Sequence, residues 1–159
     1  MSFGAQAPER ELLSGFLDWN RAVAAGKVAD LPLDLATRVL TPTRLSPLNV
    51  LAHLAAVEYG WFDENFAGNP VRDDLDDHGE FRLHPGDTVA SVVAEYEEAC
   101  EHSRAIAARV SSLDELSVRA HHVWGNVTLR WVFVHMLEET ARHAGHLDLM
   151  REQLDGRTG

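Results

Sequence analysis

The sequence has little of several things on which whole classes of function depend. It contains one cysteine, which cannot form an internal disulfide and fits a reducing compartment. It has 14 Lys and Arg residues against 25 Asp and Glu, a formal charge of −11, and the basic residues are scattered singly. Nucleic acids and anionic membranes bind positively charged surfaces, so we expect neither as a partner.

Long apolar runs and several sequence motifs are also missing. No run reaches the 18 or more apolar residues of a membrane helix, so no membrane span is expected. The first residues lack a basic segment followed by an apolar one, which argues against a secretory signal and for a cytoplasmic location. A Gly-x-Ser-x-Gly elbow, a Walker loop and a dinucleotide fingerprint are absent too.

What the sequence does contain is helical periodicity. Its 159 residues, 45% of them hydrophobic, suffice for one domain with a substantial core. Apolar residues recur at helical spacing over residues 8–25, 47–67, 88–110 and 129–154. Four amphipathic helices predict an all-α four-helix bundle that occupies residues 1–159 as a single domain. In the first helix the recurring residues are Leu12, Leu13, Phe16, Trp19, Asn20 and Val23.

The segments between these helices carry their own signals. Ser46 followed by Pro47 is typical of a helix start, and Gly26 is expected to end the first helix. A short helical turn is expected near residues 33–37, and residues 124–126 (Trp-Gly-Asn) are expected to form a turn. The three connections are about 17–21 residues long, and connections of this length are often functional. We expect them to gather at the bundle ends and cover part of the interior.

The apolar stripe of the fourth helix is interrupted in its middle. Steps of three and four residues give Leu129, Val132, Met136, Glu139, His143, Leu147, Met150 and Leu154. Glu139 and His143 therefore lie one turn apart on the face that turns inward, where an unpaired carboxylate is costly. The pattern predicts either a buried polar network that includes a hydroxyl such as Thr140, or half of a metal site.

His53 supplies a third ligand for the metal interpretation. It lies in the middle of the second predicted helix, at a height that can match Glu139 and His143 across the core. Bundles build metal sites from ligands on facing helices, and three protein ligands with one open position are typical of catalytic zinc. Two imidazoles and a carboxylate also suit nickel, iron or manganese.

Other residues are candidates for the surroundings of this site. His146 follows His143 by three residues, and it is either an alternative ligand or a side chain that orients one. His146 and Glu138 are also the candidate proton acceptors. Glu58 and Glu138 either support the ligands or lie at a solvent edge. The predicted pocket wall and supporting residues are Glu58, Trp61, Trp131 and His135. Cys100 lies in an apolar seam between glutamates, so we expect an inert thiol.

Two blocks of the sequence resemble the DinB-like superfamily of metal-binding four-helix bundles. They are LNVLAHLAAVEYGWF at 48–62 and TLRWVFVHMLEETARHAGHLDLMRE at 128–152, and the similarity begins at LDWNR, 17–21. It is strongest to the actinobacterial branch that includes the N-terminal domain of mycothiol-dependent maleylpyruvate isomerase. Most members use three histidines, whereas this branch has a glutamate as the first ligand of the fourth helix. The resemblance therefore implies His53, Glu139 and His143 as metal ligands.

The resemblance also implies an activity. Characterised relatives use a divalent metal, usually zinc, to bind and deprotonate a small thiol such as mycothiol or bacillithiol. We therefore expect a thiol S-transferase or isomerase that acts on a small electrophile. Isomerases of this kind carry a further C-terminal domain, so maleylpyruvate isomerisation itself is not expected. A metal-dependent hydrolase and a non-catalytic, stress-related metal-binding bundle are the alternatives. A homodimer is expected because aromatic loop residues such as Phe81 are predicted to be exposed.

Overall fold

A computed structural model describes residues 4–70 and 81–158, and over these residues the chain is helical without any β-strand. The helices are α1 (Glu9–Val28), α2 (Leu33–Ala36), α3 (Pro47–Glu58), α4 (Val89–Arg109) and α5 (Leu129–Asp155), and a π-helical segment (Tyr59–Phe66) continues α3. The all-α prediction is confirmed, as is the helical turn near residues 33–37. None of the described helices combines the length and apolar character needed to cross a membrane.

The four long helices pack as two pairs, α1 along α5 and α3 along α4, and the pairs close on each other to form the bundle. Two apolar clusters fill the interior, one around Leu54, Tyr96 and Leu147 and the other around Phe62 and Met136. Between the clusters lies a polar layer of side chains at most 4% exposed: Arg21, Glu58, Ser103 and Thr140. On α5 this level also carries the interrupted part of the stripe.

Side-chain caps explain where the helices begin and end. Ser46 accepts a hydrogen bond from the Asn49 amide, and the Asn49 side chain accepts one from the Ser46 amide, with Pro47 at the first position of α3. Thr128 caps α5 by accepting from the Trp131 amide. At the other end of α5, Gly156 has a φ of 75°, a conformation that glycine adopts without strain.

The end of the first helix and the winding of the second differ from the sequence prediction. α1 does not end at Gly26 but continues to Val28, whose side chain is fully buried. Glycine inside a helix costs about 1 kcal/mol, and burying a valine gains about 1.5–3 kcal/mol, which offsets that cost. The second predicted helix is continuous to Phe66, but its winding widens to π at Tyr59. Wider turns of this kind are frequent at functional sites.

The face that α1 turns inward also differs from the prediction. Phe16 and Trp19 are 41% and 43% exposed. The buried residues of α1 are Leu17, Arg21, Ala24 and Val28. The physical reason lies on another helix, because Glu58 is fully buried on α3 and needs a cation that only this face of α1 supplies.

The connection before α5 folds back onto the π-helical segment. The amides of Val118 and Arg119 donate to the carbonyls of Phe66 and Asn65 at 2.9 and 3.0 Å, and so satisfy acceptors at the end of that segment. His121 and Gly125 exchange backbone hydrogen bonds of 2.8 Å, and Gly125 has a φ of 68°. The predicted turn at 124–126 is thus present. Of the connection predicted at 68–87, residues 71–80 lie outside the described residues.

Candidate metal centre

α5 turns its interrupted stripe into the bundle, as predicted. Leu129, Met136 and Leu147 are completely buried, and the side chains of Glu139 and His143 are only 13% and 6% exposed. A carboxylate and an imidazole are therefore held one turn apart in a largely apolar surrounding, where each needs a polar partner.

His53 of α3 completes a group of three. Its Nε2 lies 3.2 Å from Glu139 Oε1, and His143 Nε2 lies 3.1 Å from the same oxygen. One possible ligand atom from each residue lies within 4.8 Å of the others. Tetrahedral coordination with bonds of about 2.0–2.1 Å places neighbouring ligand atoms about 3.3 Å apart. The three side chains therefore fit a divalent metal ion both in their chemistry and in their spacing.

The electrostatics of the group keep its carboxylate ionised. Hydrogen bonds from His143 and His53 hold the pKa of Glu139 well below its ordinary value, although burial acts in the opposite direction. Arg142 Nη2 lies 3.0 Å from Glu139 Oε2 and adds a positive charge on the solvent side. Glu139 is thus an anionic ligand throughout the neutral pH range, which is the form that binds a metal ion.

His146 contacts the group from the next turn of α5. Its Nδ1 lies 3.3 Å from His143 Nδ1, and a hydrogen bond between these atoms requires one ring to donate. If a metal ion takes the place of the hydrogen bond between His143 and Glu139, a proton on His143 Nδ1 that is donated to His146 leaves the lone pair of Nε2 for the ion. Burial, followed by the neighbouring His143, lowers the pKa of His146. The described residues that could hold a metal ion are His53, Glu139 and His143, without His146.

Phe81 covers the group instead of lying exposed in a loop. Its ring stacks on His53 with centroids 4.2 Å apart and an angle of 28°, and it lies 5.5 Å from the His143 ring. The side chain is half-buried and packs against the first apolar cluster. The prediction of an exposed Phe81 is therefore wrong, and with it goes the argument for a homodimer. A residue far from α3 in sequence is held there because His53 offers a flat, partly apolar face.

An aromatic cluster borders the group on the side towards the start of α5. Trp61 lies 5.0 Å from Trp131 and 4.6 Å from His135, and His135 precedes Glu139 by one helical turn. These three residues were predicted as pocket wall, and the structure brings them together. Burial lowers the pKa of His135, and Glu139 and Glu138 act against that shift.

Two further members of the aromatic cluster were missed from the sequence. His121 stacks on Trp61 at 5.1 Å, and Trp124, which is 51% exposed, lies 4.9 Å from Trp131. Both come from the folded-back connection before α5. Their only signal in the sequence was a turn rich in His and Trp, and nothing local indicates which helices such a turn will contact.

Two predicted acidic residues do not bond the group. Both oxygens of Glu58 accept from Arg21, at 2.7 Å from Nε and 2.5 Å from Nη2, and the carboxylate is fully buried. The prediction that Glu58 supports the metal ligands or lies at a solvent edge is therefore corrected to a core ion pair. Glu138 is 55% exposed and accepts a 2.9 Å hydrogen bond from Arg142.

A family model for mycothiol-S-transferases matches residues 12–156, nearly the whole chain. The chain belongs to the mycothiol-S-transferase family. No curated protein and no solved structure matches it. Family membership agrees with the predicted DinB-like relationship and with a thiol as one reactant, and the matched residues include all three members of the candidate metal centre.

Proposed function

We propose that this member of the mycothiol-S-transferase family joins a mycothiol-type thiol, through its sulfur, to a small electrophile at a divalent metal centre of His53, Glu139 and His143. The observation that carries the proposal is the convergence of two imidazole Nε2 atoms on one carboxylate oxygen, at 3.1 and 3.2 Å, in a buried surrounding. Zinc is the proposed metal because it takes N and O ligands in this geometry, and nickel, iron and manganese are the alternatives.

The reaction needs an ionised thiol near neutral pH. His53, Glu139 and His143 would hold a divalent ion, which would supply the Lewis acidity that favours the ionised form of a thiol. The thiol then loses its proton to solvent, the sulfur forms a bond to the electrophilic carbon, and the leaving group departs with its electron pair. The buried surrounding of His53 and His143 excludes water that would compete as the nucleophile.

The neighbouring side chains are given roles by their contacts. His146 accepts from His143 Nδ1 and so orients that ligand, a role that the 3.3 Å contact favours over direct proton acceptance. Glu138, exposed and bonded to Arg142, is the weaker candidate for accepting a proton. Trp61, Trp124 and His135 offer ring faces beside the centre, and we propose that the electrophile lies against them.

The test combines metal content with turnover in protein purified without a histidine tag. We expect close to one equivalent of a divalent metal per chain, and mycothiol-dependent conversion of a chromogenic aryl halide by the loaded protein. His143→Ala should lose both properties. His102→Ala is the matched control, since His102 is a half-exposed histidine of α4 that bonds Asp63 at 2.8 Å and should leave both unchanged.

The outcomes separate the alternatives. Equal metal content in wild type and His143→Ala would show that the ligands are assigned wrongly. Metal binding without thiol-dependent turnover would favour the alternative of a non-catalytic metal-binding bundle. Turnover of an ester without any thiol would favour a metal-dependent hydrolase. Conversion of maleylpyruvate would favour an isomerase. Cytoplasmic location and a homodimer stay predictions, to be checked by fractionation and by light scattering.

A further inference from the structure

A cavity separate from the metal centre opens on the flank of the bundle between α1 and α4. It has a volume of about 290 Å³, and its wall includes three arginines, Arg10, Arg21 and Arg104. The inner wall is formed by Phe62, Ser103 and Phe133. None of the residues of the metal centre or of the aromatic cluster lines it, so it is a separate place on the molecule.

The three arginines differ in how many of their N–H donors have an acceptor. Arg21 is 4% exposed and places Nε and Nη2 on Glu58 and Nη1 on Asp18. Arg104 donates from Nε to Asp18 and from Nη1 to Glu101, at 2.9 and 2.8 Å, and these are its bonds to described residues.

Arg10 holds a donor that the fold leaves unused. Its Nη1 donates to the Ala107 carbonyl at 3.1 Å, which fixes the guanidinium at the cavity. Its Nη2 is buried and has no hydrogen-bond partner among the described residues. An unmade hydrogen bond at a buried charged group is costly, so a ligand that supplies the acceptor is favoured.

The charges at the cavity favour an anion. Arg21 is paired with Glu58 and Asp18, and Arg104 is paired with Asp18 and with the exposed Glu101. Arg10 bonds a backbone carbonyl and has no carboxylate partner among the described residues, so its positive charge is the one without an ion pair at the cavity, in a chain whose formal charge is −11. The field of the whole chain repels anions at long range, so a ligand is held by direct hydrogen bonds.

The floor of the cavity is apolar. The rings of Phe62 and Phe133 meet edge to face at 5.7 Å and are 1% and 3% exposed. The Arg21 guanidinium lies 5.7 Å from the Phe62 ring centre. Because one water occupies about 30 Å³ of liquid, the volume has room for a molecule of roughly ten non-hydrogen atoms.

We propose that this cavity binds a small monocarboxylate with an apolar body. The carboxylate is bound by the guanidinium groups of Arg10 and Arg104, and the body lies beside Phe62 and Phe133. A single negative charge matches the positive charge of Arg10, which has no ion pair, and the apolar body lies beside the two rings.

The test uses benzoate as the probe, with benzamide as its neutral counterpart, on metal-free full-length protein after chelation. Working without metal excludes binding of the carboxylate at the metal centre. Benzoate is expected to bind at millimolar concentration or tighter and to shift the backbone amide resonances of Ser103, Ala107 and Ala108. Loss of a hydrogen bond to a charged group should weaken binding about tenfold for benzamide, and equally for Arg10→Gln and Arg104→Gln.

Arg38→Gln is the matched control. Arg38 is a 53% exposed arginine, 3.9 Å from Asp34 and away from the cavity, and its loss should leave benzoate affinity unchanged. The proposal is overturned if benzoate causes no shifts, or if both cavity variants keep wild-type affinity and native circular dichroism. Tighter binding of inorganic phosphate than of benzoate would also overturn it, since that would assign the site to a compact anion without an apolar body.

Discussion

Replacing Glu58 by Gln should destabilise the bundle severely without emptying the metal centre. The perturbation removes one of two charges in the polar layer. Arg21 is 4% exposed and Glu58 is fully buried, and two guanidinium nitrogens bond the two carboxylate oxygens. Burial lowers the pKa of Arg21, but the charge and hydrogen bonds of Glu58 raise this pKa by more than burial lowers it. The guanidinium therefore stays charged. After the substitution a buried cation faces a neutral amide, in which one of the two acceptor oxygens is replaced by an NH2 group that cannot accept from the guanidinium.

The size of the effect follows from the number of contacts that are left. Breaking a buried ion pair by removing one partner costs about 3–5 kcal/mol. Asp18 still accepts from Arg21 Nη1 at 2.9 Å, and it is partly exposed, so we expect the lower part of that range. In a chain of 159 residues a loss of about 3 kcal/mol lowers Tm by roughly 6–12 °C.

The assay is a double-mutant cycle by urea and thermal unfolding. Glu58→Gln and Arg21→Met should each be strongly destabilised. Arg21→Met combined with Glu58→Leu should recover most of the loss, because an apolar pair of similar volume leaves no buried charge. Metal content of the folded Glu58→Gln protein should equal that of wild type.

Two results would refute this reasoning. A loss below about 1 kcal/mol in Glu58→Gln would mean that the ion pair is solvated and not part of the core. Loss of metal in Glu58→Gln at temperatures where its circular dichroism is native would mean that Glu58 supports the metal ligands after all. The first result concerns the core and the second concerns the site, so the two can be told apart.

Three further predictions concern single residues. The pKa of Asp30 is lowered to about 2 by hydrogen bonds from Arg151 and Arg157, so its stabilising effect is present above its ordinary pKa and is lost as the pH falls towards 2. Asp30→Asn should therefore lower the urea midpoint at pH about 7 and leave it unchanged at pH about 2, and equal losses at both pH values would contradict this. Burial first, and then Glu58, raise the pKa of Cys100 to about 12, so at pH about 8 roughly one thiol in ten thousand is ionised and native protein should resist a thiol reagent until urea is added. His146→Ala should weaken metal affinity by roughly ten- to a hundredfold without abolishing binding, as expected for a residue that orients a ligand, and unchanged affinity in a chelator competition would exclude that role.

The helices and the central feature of the site were predictable because both depend on local spacing. The helix start at Ser46 and Pro47 acts through hydrogen bonds within a few residues, so it can be recognised without a fold. The stripe of α5 turns inward because its apolar residues recur with the helical period, and Glu139 and His143 are carried inward with them.

The inward face of α1 could not be decided in this way. Its apolar residues surround much of the helix, with Phe16 and Trp19 on one side and Leu17 and Ala24 on another. Apolar residues on both sides leave the orientation open in the sequence, and in the structure the inward side is the one on which Arg21 meets Glu58 of α3. A local pattern contains no information on a charge that lies 37 residues away.

The sequence by itself determined that the chain is an all-α bundle and that a carboxylate and two imidazoles are its candidate ligands. The physical reason is that helical periodicity and caps are local. Only the tertiary structure decided that Phe81 covers His53, that His121 and Trp124 join the aromatic cluster, and that Arg21 is buried against Glu58. Those contacts join segments distant in sequence. They form because each buried ring packs against another ring, and each buried charge pairs with an opposite charge, on a segment that only the fold brings close.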